Sequence, residues 1–324
     1  EKIAGITGDL TNMETLYIIK EFFNKTIKSK YLDCRHQDLY INNNDRKNYL
    51  FNSLINGIEE SDLILLLATN PRYEATILNA RIRKSYINNN TEIYSIGDVG
   101  DLTYPYTKIE NNTEIIKKII EKNHFLSKKI INAKKPMIII GESLLNLKSG
   151  KYIFEEIKNF LINNEKIDEN WNSLNLISKN ASSVGSYDLN LFSDDEGKNK
   201  VLDEINNGNI ELLFLFGQDN LKLNKKKHFV VYIGSHGDKG ASQANLILPG
   251  SAFTEQEGYY TNLEGKIQKC YKASYPPGEA KEDWEIINNL SEFIKRKKIF
   301  KNKNELIGSM MNYLNLNKKL NFNK

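Results

Sequence analysis

The stretch DLILLLATNPRYEATILNARIRKS, residues 62–85, joins a short apolar run to a segment with helical periodicity. The run from Leu63 to Ala68 contains no polar residue, which is typical of a parallel strand buried on both faces. Asn70 is suited to cap a helix, and Pro71 is suited to its first turn. We therefore predict a strand, a short loop and a helix that starts at this proline.

The predicted helix is amphipathic. Ala75, Leu78 and Ile82 recur at helical spacing and form a stripe that should face the sheet. Arg81 and Lys84 then point toward solvent or a partner. In open α/β sheets, ligands sit at the carboxyl ends of strands, so the loop before such a helix is a candidate binding loop.

The alternation of apolar runs and helical patterns continues along the chain. Apolar runs recur as IAGI, EIYSIG, PMIIIG, ELLFLFG, FVVYIGS and NLILPG, with helical patterns such as METLYIIKEFFNK and IFEEIKNFLI between them. This pattern predicts an α/β class with doubly wound, mostly parallel sheets. For 324 residues we expect two Rossmann-like domains, over 1–123 and 124–297, and then a polar tail or peripheral helix over 298–324.

The charge pattern argues against two kinds of partner. The formal net charge is +4, but the lysines are scattered among Asn and Ile, whereas a nucleic-acid site would cluster them with aromatics on one face. The densest basic run, FIKRKKIFKNKNE, is best explained by a solvated helix end. The longest apolar runs are far shorter than the ~18 residues of a membrane span, so we expect neither nucleic acid nor a direct membrane span.

The chain has only two cysteines, Cys34 and Cys270, and four widely separated histidines. An iron–sulfur cluster normally takes four thiolates, and a structural zinc takes four Cys or His ligands at short spacing. The sequence therefore predicts no metal site in this chain. Cys34 is interpreted as a small buried side chain.

The loops after the predicted strands carry no phosphate-binding fingerprint. Gly234, Gly237 and Gly240 are spaced by three, which does not match a dinucleotide motif. His236 and Asp238 in the same loop could form an acid–base pair, but a glycine-rich turn stabilised by polar side chains is the ordinary explanation. No nucleophile is paired with these groups, so no catalytic residue is predicted.

The segment ANLILPGSAFTEQEGYYTNLEGKIQK, residues 244–269, resembles a signature of molybdopterin-dependent oxidoreductases. Lys266 departs from that signature, which usually has Arg. Within this superfamily the resemblance is to the large iron–sulfur subunits of respiratory complex I. The segments TNPRYEATILNARIRKS, GDVGDLTYPY, KKPMIIIGES, GSHGDKGA and PPGEAKEDWEIINNLSEF are similar to theirs in the same order.

The resemblance implies a domain that kept its fold after the pterin cofactor was lost. Iron–sulfur clusters are then expected in a separate N-terminal part or a partner chain, with no cofactor in this one. No Cys or Ser metal ligand follows YLDCRH, where catalytic relatives have one. The resemblance implies that seven positions are remnants of a pterin cradle: Asn70, Arg72, His236, Asp238, Glu255, Asn262 and Glu264.

The leading hypothesis is a structural, cofactor-free domain of complex I, not catalytic by itself, that supports the peripheral arm passing electrons from NADH to ubiquinone. Its expected partners are other peripheral-arm subunits, including the cluster-bearing N-terminal part. The expected location is the matrix side of the mitochondrial inner membrane, with the cytoplasmic side of a bacterial membrane as the alternative. Two other hypotheses stay open: a fragment of an active molybdopterin oxidoreductase, and a free nucleotide-binding α/β protein.

Overall fold

A computed structural model of the chain describes residues 2–192, 194–195, 198–223 and 228–318. The strands are β1 Ile3–Thr7, β2 Tyr31–Asp33, β3 Leu63–Leu67, β4 Glu92–Ile96, β5 Thr107–Lys108, β6 Pro136–Gly141, β7 Leu174–Ile177, β8 Asp194–Asp195, β9 Lys198–Asn199, β10 Leu212–Phe216, β11 Phe229–Gly234, β12 Leu246–Pro249, β13 Gly258–Thr261 and β14 Ile267–Cys270. The α-helices are α1 Met13–Glu21, α2 Pro71–Glu74, α3 Thr76–Asn89, α4 Thr113–Ile120, α5 Phe125–Asn132, α6 Glu142–Leu145, α7 Gly150–Asn163, α8 Ser183–Asp188, α9 Lys200–Asn206, α10 Lys239–Gln243, α11 Asp283–Lys295 and α12 Lys303–Lys318. A π-helical turn, Phe22–Ile27, continues α1, and two 3₁₀ turns occupy Arg46–Asn48 and Asn56–Glu60. Of these helices, none combines the length and the apolar character that a membrane span requires.

The chain divides into two compact units, and the division differs from the predicted domain boundaries. Unit 1 comprises Glu1–Asp38, Asn180–Asn262 and Lys266–Lys324, and unit 2 comprises Leu39–Lys179 and Leu263–Gly265. The predicted boundary at residue 123 lies inside unit 2. The reason is strand pairing: β1 pairs in parallel with β10, so the start of the chain shares a sheet with its second half.

Unit 1 is built on a five-stranded sheet of order β12-β11-β10-β1-β2, in which every pairing is parallel. Side chains of β10 alternate between two core clusters, with Leu213 and Leu215 in one and Phe214 and Phe216 in the other. Both faces of the sheet are therefore covered, which confirms the predicted doubly wound architecture.

Unit 2 contains a second parallel sheet, of order β5-β4-β3-β6-β7. Ile64 and Leu66 of β3 pack in one cluster with Leu78 and Ile82 of α3. Leu78 is 3% exposed and Ile82 is fully buried, while Ala75 packs partly buried against the same cluster. The predicted inward stripe is confirmed.

The helix predicted after Asn70 is interrupted. It forms as α2 and α3, which are separated at Ala75, where φ is −154° and ψ is 69°. The predicted cap is present, because Asn70 Oδ1 accepts the backbone N–H of Arg72 at 3.0 Å and Pro71 occupies the first turn. The sequence pattern therefore located the start of the helix but not the break one turn later.

The two basic residues on the outer side of α3 have a partner in their own unit. Arg81 Nη1 and Lys84 Nζ each lie 2.7 Å from a carboxylate oxygen of Glu59. These side chains are partly exposed, so the ion pairs add little stability. Part of the charge expected to face solvent or a partner is thus neutralised locally.

The C-terminal segment is not a purely polar tail. Leu306, Met310 and Leu314 of α12 are fully buried in the core of unit 1. Their spacing of four residues places them along one helix face, as in any amphipathic helix. The predicted peripheral helix therefore belongs to the core of unit 1, and residues 319–324 of the predicted tail lie outside the described residues.

Candidate functional site: an acidic pocket at a sheet switch point

Unit 1 has an open pocket of about 260 Å³ at the carboxyl end of its sheet. β1 lies between β2 and β10, so the strand order reverses direction there, and such reversal points are where open α/β sheets bind ligands. The loops after β1, β10, β11 and β12 and the start of α11 contribute its walls. We call it the acidic pocket because four carboxylates line it, those of Asp9, Asp219, Asp238 and Asp283.

Asp9 extends from the loop after β1. Its carboxylate accepts hydrogen bonds from Asn180 Nδ2 at 2.8 Å and from Asn220 Nδ2 at 2.6 Å. Burial raises the pKa of Asp9, and the nearby charge of Asp219 raises it further, while His36 and the bond from Asn220 act in the opposite direction. Asp9 is therefore a partly desolvated carboxyl group held by two neutral amides.

Asp219 comes from the loop after β10. Its Oδ2 accepts the hydroxyl of Tyr232 at 3.2 Å, and its Oδ1 accepts the backbone N–H of Gly240 at 3.1 Å. Burial, and then Asp219, raise the pKa of Tyr232, so that phenol stays protonated and donates. Asp219 is thus oriented by two donors from β11 and α10.

Two polar groups that line the pocket lack partners. Asp283 Oδ1 and Ser251 Oγ are buried, and neither makes a hydrogen bond to any residue that the structure describes. Ser251 is only 4% exposed. Burial, together with the charge of Glu282, raises the pKa of Asp283 to about 7. Leaving such groups unpaired costs free energy, so they are candidates to receive a ligand.

The alternative reading of His236 and Asp238 as an acid–base pair finds no hydrogen bond to support it. His236 and Asp238 both line the acidic pocket, yet within the described chain no hydrogen bond joins them. His236 Nδ1 instead lies 2.8 Å from the hydroxyl of Ser235, and Asp238 precedes α10 without a capping side-chain bond. The arrangement is compatible with the turn explanation, since among the described residues no carboxylate is hydrogen-bonded to the imidazole of His236.

Glu255 and Asn262, also predicted as remnants of a cradle, are in unit 1 but stabilise turns. Glu255 Oε2 accepts the backbone N–H of Ala252 at 3.0 Å, and Asn262 Oδ1 accepts that of Lys266 at 2.8 Å. Neither is among the residues that line the acidic pocket.

Asn70 and Arg72 belong to unit 2, at the carboxyl end of β3, where the strand order of that sheet reverses. Asn70 Nδ2 donates to the carbonyl of Val99 at 2.7 Å, and Arg72 Nη1 donates to Asp101 Oδ2 at 2.7 Å. Both side chains are therefore engaged within their own loop cluster.

Glu264 also belongs to unit 2, and its Oε2 accepts the backbone N–H of Ile55 at 3.0 Å. Of the seven predicted cradle positions, only His236 and Asp238 line the acidic pocket. The cradle role of all seven stays a prediction.

Sequence reasoning missed three groups of the pocket, namely Asp9, Ser251 and Asp283. Asp9 follows a predicted strand directly, so the strand-end rule could have found it. Ser251 lies two residues after β12, so the same rule could have found it. Asp283 starts a helix and reaches the pocket through tertiary packing, which no local pattern indicates.

The described residues were also compared with the ligand groups that metal ions require. Among the residues that the structure describes, no group of three His, Cys, Asp or Glu side chains is placed to hold a metal ion. Burial raises the pKa of the Cys34 thiol, and the charge of Asp33 raises it further, while the charge of Arg35 lowers it. A thiolate, the form that binds metals, is thereby disfavoured at this position.

The profile of the family described as Molybdopterin oxidoreductase matches residues 1–293. This chain belongs to that family, as the resemblance predicted. It is similar to a formyltransferase/hydrolase complex of Methylorubrum extorquens solved with methylofuran, with a TM-score of 0.60 over 91% of this chain and 92% of the other at 10% identity. That likeness shows a shared fold only.

Several relatives by sequence are named as subunits of NADH-ubiquinone oxidoreductase or NADH dehydrogenase. The NADH-ubiquinone oxidoreductase 75 kDa subunit of Reclinomonas americana is 40% identical over 311 residues, and the mitochondrial 78 kDa subunit of Candida albicans is 38% identical over 303 residues. The mitochondrial NADH dehydrogenase (ubiquinone) iron-sulfur protein 1 of Solanum tuberosum is 34% identical over 294 residues. These alignments cover 90–91% of this chain but only 39–44% of the relatives' lengths. The predicted similarity to the large iron–sulfur subunit of complex I is confirmed.

Proposed function

We propose that this chain acts as a structural domain of respiratory complex I, holding the cluster-bearing part of the large iron–sulfur subunit in the peripheral arm. The observation that carries the proposal is the 40% identity to the 75 kDa subunit across 91% of this chain. Neighbouring peripheral-arm subunits are the proposed partners. Electrons pass through clusters carried elsewhere, and this domain contributes by binding and not by redox chemistry.

The acidic pocket supports a role without the pterin cofactor of the family. A pterin dinucleotide carries phosphates, which need Lys, Arg or backbone N–H donors. Four carboxylates line the pocket, and neither Lys nor Arg is among the described residues that do so. These carboxylates would repel phosphate oxygens, which disfavours the phosphates of a pterin dinucleotide in this pocket.

The loop of unit 2 supports the same conclusion. Arg72 is the basic residue that could face a phosphate, and its guanidinium is paired with Asp101. The backbone N–H of Thr103 and then Arg72 hold the pKa of Asp101 below its usual range, so the carboxylate stays charged beside that guanidinium. A phosphate would have to displace this partner.

The alternative, an active molybdopterin oxidoreductase, needs a metal ligand. Cys34 is the cysteine closest to the expected ligand segment, and burial raises the pKa of its thiol, which is less favourable for a metal ligand than an exposed thiol of low pKa. A free nucleotide-binding protein is disfavoured by the charge of the acidic pocket, for the reason given for the phosphates of a pterin dinucleotide.

The proposed location is the matrix side of the mitochondrial inner membrane. Two relatives, from Candida albicans and Solanum tuberosum, are named mitochondrial. The peripheral arm that this chain is proposed to support would place it outside the bilayer.

The test is co-migration and depletion. Complex I would be isolated from the source cells through a different subunit, separated on native gels and probed for this chain. We expect the chain in the band with NADH dehydrogenase activity. Lowering its expression should reduce the amount of assembled peripheral arm, because a partner that binds only the folded, docked state stabilises it.

Turnover per assembled complex is the control. It should stay nearly unchanged when the chain is depleted. The proposal fails if the chain is absent from the complex, or if assembly is normal while turnover per complex falls.

A further inference from the structure

We propose that the acidic pocket of unit 1 binds an organic cation, an alkylammonium or alkylguanidinium group, as carried by small polyamines and by the Lys and Arg side chains of a partner chain. This inference concerns the ligand of a pocket and does not depend on membership of complex I. It follows from the charge, the unpaired groups and the apolar rim of the pocket.

Charge is the first argument. The carboxylates of Asp9, Asp219, Asp238 and Asp283 converge on one cavity of about 260 Å³, and the basic side chain that shares it is His236. Ionised carboxylates that share a site repel one another, and a bound cation relieves that repulsion. Burial is the main cause of the raised pKa of Asp9, and the charge of Asp219 adds a smaller contribution in the same direction.

Two unpaired hydrogen-bonding groups also favour a ligand with donors, and that of Ser251 is independent of charge. Ser251 Oγ is buried and has no partner in the described part of the chain, and Ser251 is 4% exposed. Asp283 Oδ1 is likewise buried and unpaired among the described residues. A ligand with several N–H donors would satisfy both oxygens. An anion could accept the hydroxyl of Ser251, but it offers no donor to the ionised carboxylate of Asp283.

The arrangement of the acidic side chains favours an organic cation over a metal ion. A metal needs three or more ligands within about 2.0–2.6 Å, and no such group of His, Cys, Asp or Glu exists among the described residues. An ammonium or guanidinium group binds acceptors at hydrogen-bond distance, about 2.7–3.2 Å. It can therefore contact oxygen atoms that lie farther apart than the ligands of a metal ion.

The rim of the pocket suits an apolar stem. Leu10 and Phe253 line it and are 53% and 55% exposed. The methylene chain of a polyamine, Lys or Arg could pack on them, and an aromatic ring such as that of Phe253 can also bind a cation. The pocket thus combines an anionic interior with an apolar entrance.

The experiment is isothermal titration calorimetry on the full chain at low ionic strength with four separate probes: spermidine, N-acetyl-argininamide, sodium pyrophosphate and calcium chloride. We expect spermidine or N-acetyl-argininamide to bind at one site with a dissociation constant on the order of 1 mM or tighter, and pyrophosphate not to bind. Tighter binding of spermidine would indicate a free amine as the ligand. Tighter binding of the blocked arginine would indicate a partner's side chain.

Matched variants test whether the cation binds in the acidic pocket. Asp219→Asn should weaken binding about tenfold, whereas Asp203→Asn, which removes an exposed carboxylate of α9 in the same unit, should leave it unchanged. If Asp219→Asn fails to fold by circular dichroism, Asp238→Asn replaces it, because the Asp238 side chain makes no capping bond.

Four outcomes would overturn the inference: binding of neither organic cation, binding of pyrophosphate, binding of calcium alone, or equal affinity of the Asp203 variant and the pocket variant. None of them bears on co-migration with complex I, so failure here is distinguishable from failure of the proposed function.

Discussion

The buried carboxylate of Glu14 accepts a hydrogen bond from the backbone N–H of Tyr259 at 2.8 Å. Glu14 is 1% exposed. Burial raises its pKa from an ordinary value of about 4.5 to about 7, and the bond from Tyr259 and the charge of Lys303 offset only part of this. The first helix of unit 1 therefore carries a carboxyl group that changes charge close to neutral pH.

This relationship predicts a pH-dependent stability. The folded state holds the Glu14 proton more tightly than the unfolded state does. The stability that protonated Glu14 contributes is therefore fully present below pH ~4.5 and is lost as the pH rises to ~7. Glu14→Gln keeps an acceptor for Tyr259 and does not titrate. Between pH 5 and 8, the wild type should lose up to ~3 kcal/mol more unfolding free energy than the variant, at about 1.4 kcal/mol per pKa unit. Urea unfolding at each pH measures this, and parallel curves would contradict it.

Leu78 and Arg81 make a matched pair on α3. Leu78 is 3% exposed in the core of unit 2, so Leu78→Ala should cost ~2–5 kcal/mol of unfolding free energy. Arg81 makes a partly exposed ion pair with Glu59, so Arg81→Ala should cost less than ~1 kcal/mol. Denaturant melts of both variants give the comparison. Equal and small losses would mean that the helix face is misassigned.

Gly250 is constrained by Asp283. A Cβ at position 250 would overlap Asp283 Oδ1, so Gly250→Ala should cost ~1–3 kcal/mol. Asp283→Ala removes the obstacle together with an unpaired buried oxygen, so the double variant should be more stable than the sum of the two single losses predicts. A double-mutant cycle from urea melts checks this coupling. Additive effects would show that the two residues do not press on each other.

The sequence predicted those parts of the fold that local patterns encode. Continuous apolar runs such as Leu63–Leu67 identify parallel strands because both faces of such strands are buried. The pairing of β1 with β10 was not predictable, since it depends on contacts between distant segments. For that reason the predicted domain boundaries differ from the two observed units. The break at Ala75 was missed because alanine favours a continuous helix and tertiary packing imposes another conformation.

The candidate site was predictable only in part. Asp219 and Asp238 lie in strand-end loops that the pattern of strands identifies. Asp283 reaches the same pocket from the start of α11, and the burial that raises its pKa arises only on folding. The acidic character of the pocket is thus a property of tertiary structure.

Metal content is a direct check on the cofactor-free proposal. The purified chain should contain no stoichiometric iron, molybdenum, tungsten or zinc, because its two cysteines and four histidines offer no recognised ligand pattern. Elemental analysis of protein expressed with metal supplementation measures this. A value near one metal per chain would contradict the prediction, and dialysis against a chelator would separate adventitious from bound metal.

Cys34→Ala distinguishes the structural role from that of an active molybdopterin enzyme. In the structural role, Cys34 is a protonated thiol next to the Asp33–Arg35 ion pair, so the variant should assemble into complex I and lose little stability. NADH:ubiquinone turnover per assembled complex should match the wild type, because no electron passes through this side chain. If the thiol were a metal ligand, turnover would fall a hundredfold or more, about 2.7 kcal/mol of barrier, while assembly stayed normal. Activity normalised to the amount of complex on native gels measures the difference, and Cys270→Ala, which alters an exposed thiol, serves as the control.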